Sequence, residues 1–379
     1  MLQVYRAGAL FDGTALHPGM GLVVDGARVV GLHSPGTPLP QGAEVRDLGP
    51  GVLSPGLIDL QVNGGDGVML GAGADSAMIA RICAAHARLG ATAILPTLIT
   101  DRPDVTAQVI AAARAAVRRN VPGFLGLHLE GPHLDPDRKG AHDAALIRPM
   151  TDTDLALLCA AARELPALMV TLAPEAASRE QIAQLARAGA VVSLGHSNCT
   201  EPAARAAFGA GARCVTHLFN AMSQLGSRAP GLVGAALDAR VHAGVIADGV
   251  HVADTCLRLA LRAKDPDRLF LVSDAMAVAG TGLDSFVLGG RQILRRAGRL
   301  ALADGTLAGA DITLPQSVAH LVALGCPHAR ALAMASRIPA QLIGASDRGT
   351  LQPGSPADFV HLGPDWDLRA VWQSGQRLA

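Results

Sequence analysis

The sequence predicts an α/β fold: a (β/α)8 TIM-type barrel carrying a small β-sandwich domain built from the N- and C-terminal segments. Three observations lead there. Between Gly56 and Asp274, eight short apolar runs alternate with Ala-rich amphipathic stretches. Eight βα units in about 220 residues suit a closed barrel better than an open doubly wound sheet. No Gly-x-Gly-x-x-Gly turn opens the first helix, which speaks against a dinucleotide-binding sheet. Outside the barrel, residues 1–53 and 351–379 read as short strands. Each piece is too short to bury a face alone, so the two are expected to form one domain, with 54–350 as the barrel.

In chain order, Leu22-Val23-Val24 leads through Asp25-Gly26 into Ala27–Gly31, a hairpin signal. The barrel strands are expected at Gly56–Asn63, Ala91–Leu98, Phe124–Glu130, Leu168–Ala173, Ala190–His196, Cys214–Asn220, His242–Asp248 and Leu269–Asp274. Helical patterns at Ala77–Leu89, Val105–Arg119 and Arg179–Ala188 separate some of them. Residues Gly282–Leu307 break the rhythm with Gly289-Gly290, Arg295-Arg296 and Asp304-Gly305, and read as a hairpin excursion after strand eight. Helices resume near Leu314. The tail, Ala357–Leu362 and Ala370–Trp372, returns to strand character and is expected to rejoin the N-terminal segment.

Composition narrows the function classes. Half the residues are hydrophobic and 17% are charged, so a sizeable core is available. Lys plus Arg equals Asp plus Glu at 32 each, and this balance gives no global field for nucleic acid or an anionic membrane. The six cysteines (Cys83, Cys159, Cys199, Cys214, Cys256 and Cys326) form no Cys-x-x-Cys pair and read as small hydrophobes in a reducing compartment. Met1–Arg6 lacks a basic region followed by a long apolar run, and no apolar stretch of membrane-spanning length is free of Gly, Pro or charge. The expectation is a cytoplasmic protein with neither a nucleic-acid nor a membrane partner.

Barrel enzymes carry their chemistry at the carboxyl ends of the strands. Here those ends hold Gln61 and Asn63, Glu130, His196, His217, His251 and Asp274, each terminating or following an apolar run. Alone, Glu130 could be an ion-paired barrel carboxylate, and His196 or His217 a satisfied core histidine. Together, two imidazoles on adjacent strands with a carboxylate two strands away give the three-ligand, open-position site of a catalytic zinc ion. Asp274 is placed to take a proton from an activated water and pass it to a leaving amine; its alternative role is a helix N-cap. His128 shares the strand face of Glu130 and is a rival ligand one layer deeper. His133 and His142 fall on the loop after strand three, while His86 and His242 read as structural.

These residues together resemble the N-acetylglucosamine-6-phosphate deacetylases of the amidohydrolase superfamily. The resemblance runs through Pro55–Gly64, Leu127–Pro132, Lys139–His142, Gly195–Ser197, Thr216–Met222, Ala247–His251, Val272–Met276 and Gly305–Gly309. Amidohydrolases usually carry His-x-His at the end of the first strand, and here Gln61-x-Asn63 keeps the spacing with two amides, poor ligands beside imidazole. That form resembles the family's single-metal branch.

The resemblance implies that Glu130, His196 and His217 hold one divalent ion per subunit, Zn2+ first, with Fe2+, Co2+ or Mn2+ as alternatives. It implies a degenerate second metal site at Gln61 and Asn63. Asp274 would act as base and then acid, and His142 would polarise the acetamide carbonyl. Ala141, His142, Asn220, Ala221, Arg228 and His251 would hold the sugar phosphate, with Leu307, Ala308 and Gly309 in the pocket wall. It also implies a homodimer in which Arg228 or His251 serves its own or the neighbouring site. Ala310 and Asp311 depart from the family pattern, which favours small hydroxyl residues there. The reaction implied is hydrolysis of N-acetylglucosamine 6-phosphate to glucosamine 6-phosphate and acetate.

Three rivals stand beside it. One is the galactosamine epimer of the substrate. A second is cleavage of cyclic amides or N-acyl amino acids, against which Leu168–Ala173 lacks the bridging lysine common in such enzymes. The third is a catalytically dead scaffold, which would have no use for Glu130, His196, His217 and Asp274 together.

Overall fold

The computed structural model describes residues 2–379. Its centre is an eight-stranded sheet of β1 (Ile58–Val62), β2 (Ala93–Ile99), β3 (Leu127–Glu130), β4 (Leu168–Leu172), β5 (Val191–Leu194), β6 (Cys214–Val215), β7 (His242–Val245) and β8 (Leu269–Leu271), side by side in chain order. Every neighbouring pair runs parallel. The two edges meet just beyond the strand ends. Val62 bridges Ala275, the Asp274 amide donates to the Gln61 carbonyl at 3.1 Å, and the Asn63 amide donates to the Ala275 carbonyl at 2.8 Å. The result is a nearly closed barrel.

Strands inside a helix shell have no wet face, so they read as continuous apolar runs; β4, Leu-Met-Val-Thr-Leu, is buried at every position. The helices begin where a side chain can take up free amides. Capping boxes pair Thr151 with Asp154, Ser178 with Gln181 and Thr313 with Gln316. Helix Ser76–Arg88 turns Ile79, Ile82, Cys83 and His86 inward at the three-to-four-residue spacing that faces a core.

The two chain ends interleave in a second unit. One sheet orders Arg28–His33, Gly21–Asp25, Leu2–Arg6 and Glu44–Asp47; the other orders Gln376–Arg377, Leu368–Gln373, Phe359–Leu362, Val52–Pro55, Ala9–Phe11 and Leu16–Pro18. Tyr5, Leu22, Val24, Leu53, Phe359 and Trp372 share one core between them, with the Tyr5 ring edge-on to Phe359 at 4.9 Å and Trp372 at 5.2 Å. The expected division between residues 53 and 54 falls within strand Val52–Pro55, which pairs antiparallel with Phe359–Leu362. The N-terminal hairpin turns on Gly26 and Ala27, because Asp25 itself pairs with Arg28.

After β8, a four-stranded antiparallel sheet (Ser285–Leu288, Arg291–Arg296, Arg299–Ala301, Leu307–Ala310) stands over the carboxyl end of the barrel. Two arginines tie it down. Arg295 grips Asp311 through two hydrogen bonds of 2.8 Å, and Arg291 donates to the Ala141 carbonyl on the loop after β3. Asp311 thus has a structural partner in this chain.

Several predicted strands run too far at their carboxyl ends. β6 was expected to reach Asn220 and stops at Val215; β5 stops at Leu194 and β8 at Leu271. The residues that follow leave the extended region: His196 (φ 48°), His217 (φ 26°), Phe219 (φ 79°), Ala221 (φ 48°) and Asp274 (φ 52°) all have positive φ, which no ladder accommodates.

Candidate active site and metal centre

Four of those left-handed residues, His196, His217, Ala221 and Asp274, are site residues. Non-glycine residues at positive φ are uncommon and cluster where surrounding structure holds them for a purpose. At Asp274 the holding contacts are visible: its amide donates to Gln61 O at 3.1 Å, and its carbonyl accepts from Ala310 N at 3.0 Å. Gly309 packs against that carbonyl, where a Cβ would meet Asp274 O at 2.7 Å and Met276 Cγ at 2.4 Å, so only glycine fits.

The strand ends bring Glu130, His196 and His217 together in a buried cluster. Glu130 Oε1 lies 3.3 Å from His196 Nε2 and 3.1 Å from His217 Nε2, and the two imidazole nitrogens are 3.0 Å apart. Such separations suit either hydrogen bonds among the three groups or a cation shared between them. Metal–nitrogen bonds near 2.0–2.1 Å in a tetrahedron place ligand atoms about 3.3 Å apart, so the triangle fits a divalent ion. Burial would raise the Glu130 carboxyl, but the neighbouring His196 and His217 imidazoles hold it well below the usual carboxylate range. Burial lowers His217, and the Glu130 carboxylate more than reverses that.

The tautomers separate ligand from donor. His196 Nδ1 lies 2.7 Å from the Arg138 carbonyl, which can only accept, so Nδ1 carries the proton and Nε2 keeps its lone pair toward Glu130. His217 Nδ1 is buried without a partner among the described residues. His142 is the opposite case. Its Nδ1 faces the Thr100 amide at 3.3 Å and the Thr100 hydroxyl at 2.7 Å, and an amide can only donate. The proton therefore sits on Nε2, 3.9 Å from Glu130 Oε2. Glu130, His142 and His196 also group closely enough to hold an ion, with ligand atoms within 4.8 Å, but His217 completes the tighter set. Burial drops His142 to about 3, so it is a neutral N–H donor at working pH.

Asp274 faces the same space. Asn63 Nδ2 donates to its Oδ1 at 2.6 Å and Gln61 Nε2 at 3.2 Å; Gln61 Nε2 also donates to Glu130 Oε1 at 3.0 Å. Burial, and then the neighbouring Glu130 charge, push the Asp274 carboxyl up to about 6. His128, the rival ligand, has both nitrogens engaged: Nδ1 donates to Leu60 O at 3.0 Å, and Nε2 accepts from the Thr171 hydroxyl at 2.7 Å. Thr171, Thr216 and Ser193 continue that belt of hydroxyls below the cluster.

A cavity of about 170 Å³ opens over the cluster. Asn63, Glu130, Ala141, His142, His196, His217, Asn220, Ala221, His251, Asp274, Leu307 and Gly309, all candidates from the sequence, line it. Three expected residues do not. Gln61 bonds Glu130 and Asp274 without lining the cavity. Strand alternation turns Ala308 away from Leu307 and Gly309, into a small core with Met276, Leu288 and Ile293, so its side chain is no part of the wall. Arg228 sits on an exposed loop and does not line its own chain's cavity. Sequence reading missed Ile99, Ile246, Met276 and Leu288, apolar wall residues with no distinguishing pattern. It also missed Asp248, which accepts the His251 Nδ1 proton at 2.6 Å and fixes that ring; the Asp-x-x-His spacing was the available signal.

A parallel barrel with an acid and imidazoles converging at its carboxyl end defines a metal-dependent barrel hydrolase. The chain belongs to the amidohydrolase family, whose model matches residues 52–377. It is 38% identical over 330 residues to N-acetylgalactosamine-6-phosphate deacetylase of Shewanella sp. (strain ANA-3), covering 86% of this chain and 83% of that protein. It is 39% identical over 353 residues to N-acetylglucosamine-6-phosphate deacetylase of Homo sapiens, covering 88% and 85%. Among solved structures, N-acetylglucosamine-6-phosphate deacetylase from Pasteurella multocida superposes with a TM-score of 0.94 at 33% identity, covering 100% of this chain and 99% of that one.

Proposed function

We propose that this chain hydrolyses the acetamido group of N-acetylglucosamine 6-phosphate, giving glucosamine 6-phosphate and acetate. The observation that carries the reading is Asp274, held by two amides beside the Glu130–His196–His217 triangle and opposite the neutral N–H of His142. Glu130, His196 and His217 would hold one divalent ion; two nitrogens and one oxygen suit zinc. When bound, such an ion supplies a Lewis acid and lowers the pKa of water toward neutrality.

The remaining chemistry belongs to side chains. Asp274 accepts a proton from the attacking water as its oxygen bonds to the acetamide carbon. His142 Nε2–H donates to the carbonyl oxygen as negative charge develops there, a role that needs no reorganisation because Thr100 already fixes the tautomer. Asp274 then returns its proton to the nitrogen as the carbon–nitrogen bond breaks, leaving the amine and acetate. His251, oriented by Asp248, and Asn220 face the sugar.

Arg228 has no hydrogen bond or ion pair among the described residues, and its exposed position suits a neighbouring subunit's phosphate group in a homodimer. Six free cysteines suit a reducing, cytoplasmic setting. The described residues contain no helix long and apolar enough to cross a membrane.

The galactosamine epimer is the second reading, favoured by the 38% identity to the Shewanella protein of that name. Acetate release from both epimers, each with and without the 6-phosphate, decides. Higher kcat/KM on the phosphorylated glucosamine derivative supports the first reading, and higher kcat/KM on its epimer supports the second. Release from neither would remove both.

A further inference from the structure

Gln61 and Asn63 stand where a two-metal hydrolase would place a second pair of ligands, yet their amide N–H groups are engaged with carboxylates in this chain. Both are buried, at 1% exposure each. The Gln61 amide carries two hydrogens and spends one on each of two carboxylates, Glu130 Oε1 at 3.0 Å and Asp274 Oδ1 at 3.2 Å. Asn63 Nδ2 adds a short bond, 2.6 Å, to the same Asp274 oxygen. The orientation of both amides follows from chemistry: a carboxylate accepts, so the NH2 ends face the acids. For Asn63 this leaves Oδ1 buried at the cavity wall with no partner among the described residues.

We propose that Gln61 and Asn63 are positioning residues for the proton transfer: their N–H groups take the place of a second cation between Glu130 and Asp274, fix Oδ1 of Asp274, and leave its Oδ2 as the single proton acceptor toward the cavity. The inference rests on the reading of Asp274 as the proton acceptor given above.

Three features support it. Two carboxylates this close repel, and a donor shared between them removes that repulsion without adding charge. The backbone is pinned at the same place, since Asp274 N donates to Gln61 O and Asn63 N to Ala275 O, so the amides and the acid move as one body. Below them Asp59 accepts from Gln61 N at 3.1 Å and Ser273 N at 3.1 Å, locking β1 to the end of β8. A vestigial pair of amides would need none of this.

The test is steady-state kinetics and metal analysis on Gln61→Met and Asn63→Leu, which keep volume and remove the donors, with Asp274→Asn alongside. Gln61→Asn is the second variant at that position; it keeps an amide but draws the donors back by one methylene. Each amide variant should lose roughly 10–100-fold in kcat, the worth of a hydrogen bond to a charged group. KM should stay within about twofold and metal content at the wild-type level, because neither amide binds the sugar or the ion. Unchanged kcat in Gln61→Met and Gln61→Asn, with Asp274→Asn inactive, overturns the proposal and leaves the role of Asp274 standing. A second equivalent of metal in wild-type protein, lost in Gln61→Met and Asn63→Leu, also overturns it. Wild-type kcat in Asp274→Asn would instead sink the reading on which the proposal rests.

Discussion

Replacing Asp274 by asparagine isolates proton transfer from everything else the residue does. The substitution is isosteric, and an asparagine carbonyl at the Oδ1 position can still accept from Gln61 Nε2 and Asn63 Nδ2, now at 3.2 and 2.6 Å from the acid. The backbone bonds that hold φ at 52° are untouched. The fold, the cavity and the Glu130–His196–His217 triangle should therefore survive. What disappears is a group that takes a proton in one step and returns it in the next. General acid–base help contributes about 10²–10⁴-fold to a step, and one residue here serves two, so kcat should fall by about 10³-fold or more, about 4 kcal/mol of barrier. Acetate release measures the rate, metal analysis checks that the ion is retained, and a melting curve checks the fold. A folded, metal-loaded variant keeping a tenth of the wild-type rate would show that another group moves the proton.

Other expectations follow from the same geometry. His217→Ala or His196→Ala removes one corner of the triangle, so metal content and activity should fall together; full metal retention would assign the ligand role to His142 instead. Asp274 is pushed up to about 6 by burial and the Glu130 charge, and a bound cation would draw it lower. Its base form is lost as pH falls through that value, so kcat/KM should drop about tenfold per unit below a break at or under about pH 6; a break near neutrality or above contradicts the assignment. Arg228→Ala should lower kcat/KM for the phosphorylated sugar by roughly 10–150-fold, the worth of a charge-assisted hydrogen bond, and leave the unphosphorylated sugar nearly unchanged. Equal losses on both would mean that Arg228 supports the fold or a subunit contact.

Much of this was legible in the sequence because burial writes a strong pattern. All eight barrel strands were found from apolar runs, since a strand covered on both faces leaves little room for polar residues. Glu130, His196, His217 and Asp274 stood out as polar residues at the ends of such runs. Their backbone conformation did not, because a left-handed histidine looks like any other histidine in a sequence; hence β5, β6 and β8 were drawn too long. The fate of Ala308 depended on the pleat of a short strand within the excursion, which a Gly-rich segment does not announce. Gln61 and Asn63 were read as lost ligands, and only their distances to Glu130 and Asp274 show them as donors. Arg228 shows the same limit from the other side, since its residue type suits a phosphate but its place depends on a loop that leaves its own cavity.

In the proposed reaction one divalent ion, held by Glu130, His196 and His217, serves deacetylation of an N-acetylhexosamine 6-phosphate. The most direct measurement is acetate release from N-acetylglucosamine 6-phosphate by metal-stripped protein as zinc is added back in known amounts. Activity should rise in proportion and level off at about one equivalent per chain, since among the described residues one cluster offers the three ligands and open position of a catalytic zinc site. A rise that continues to about two equivalents, or no release at full loading, would contradict it.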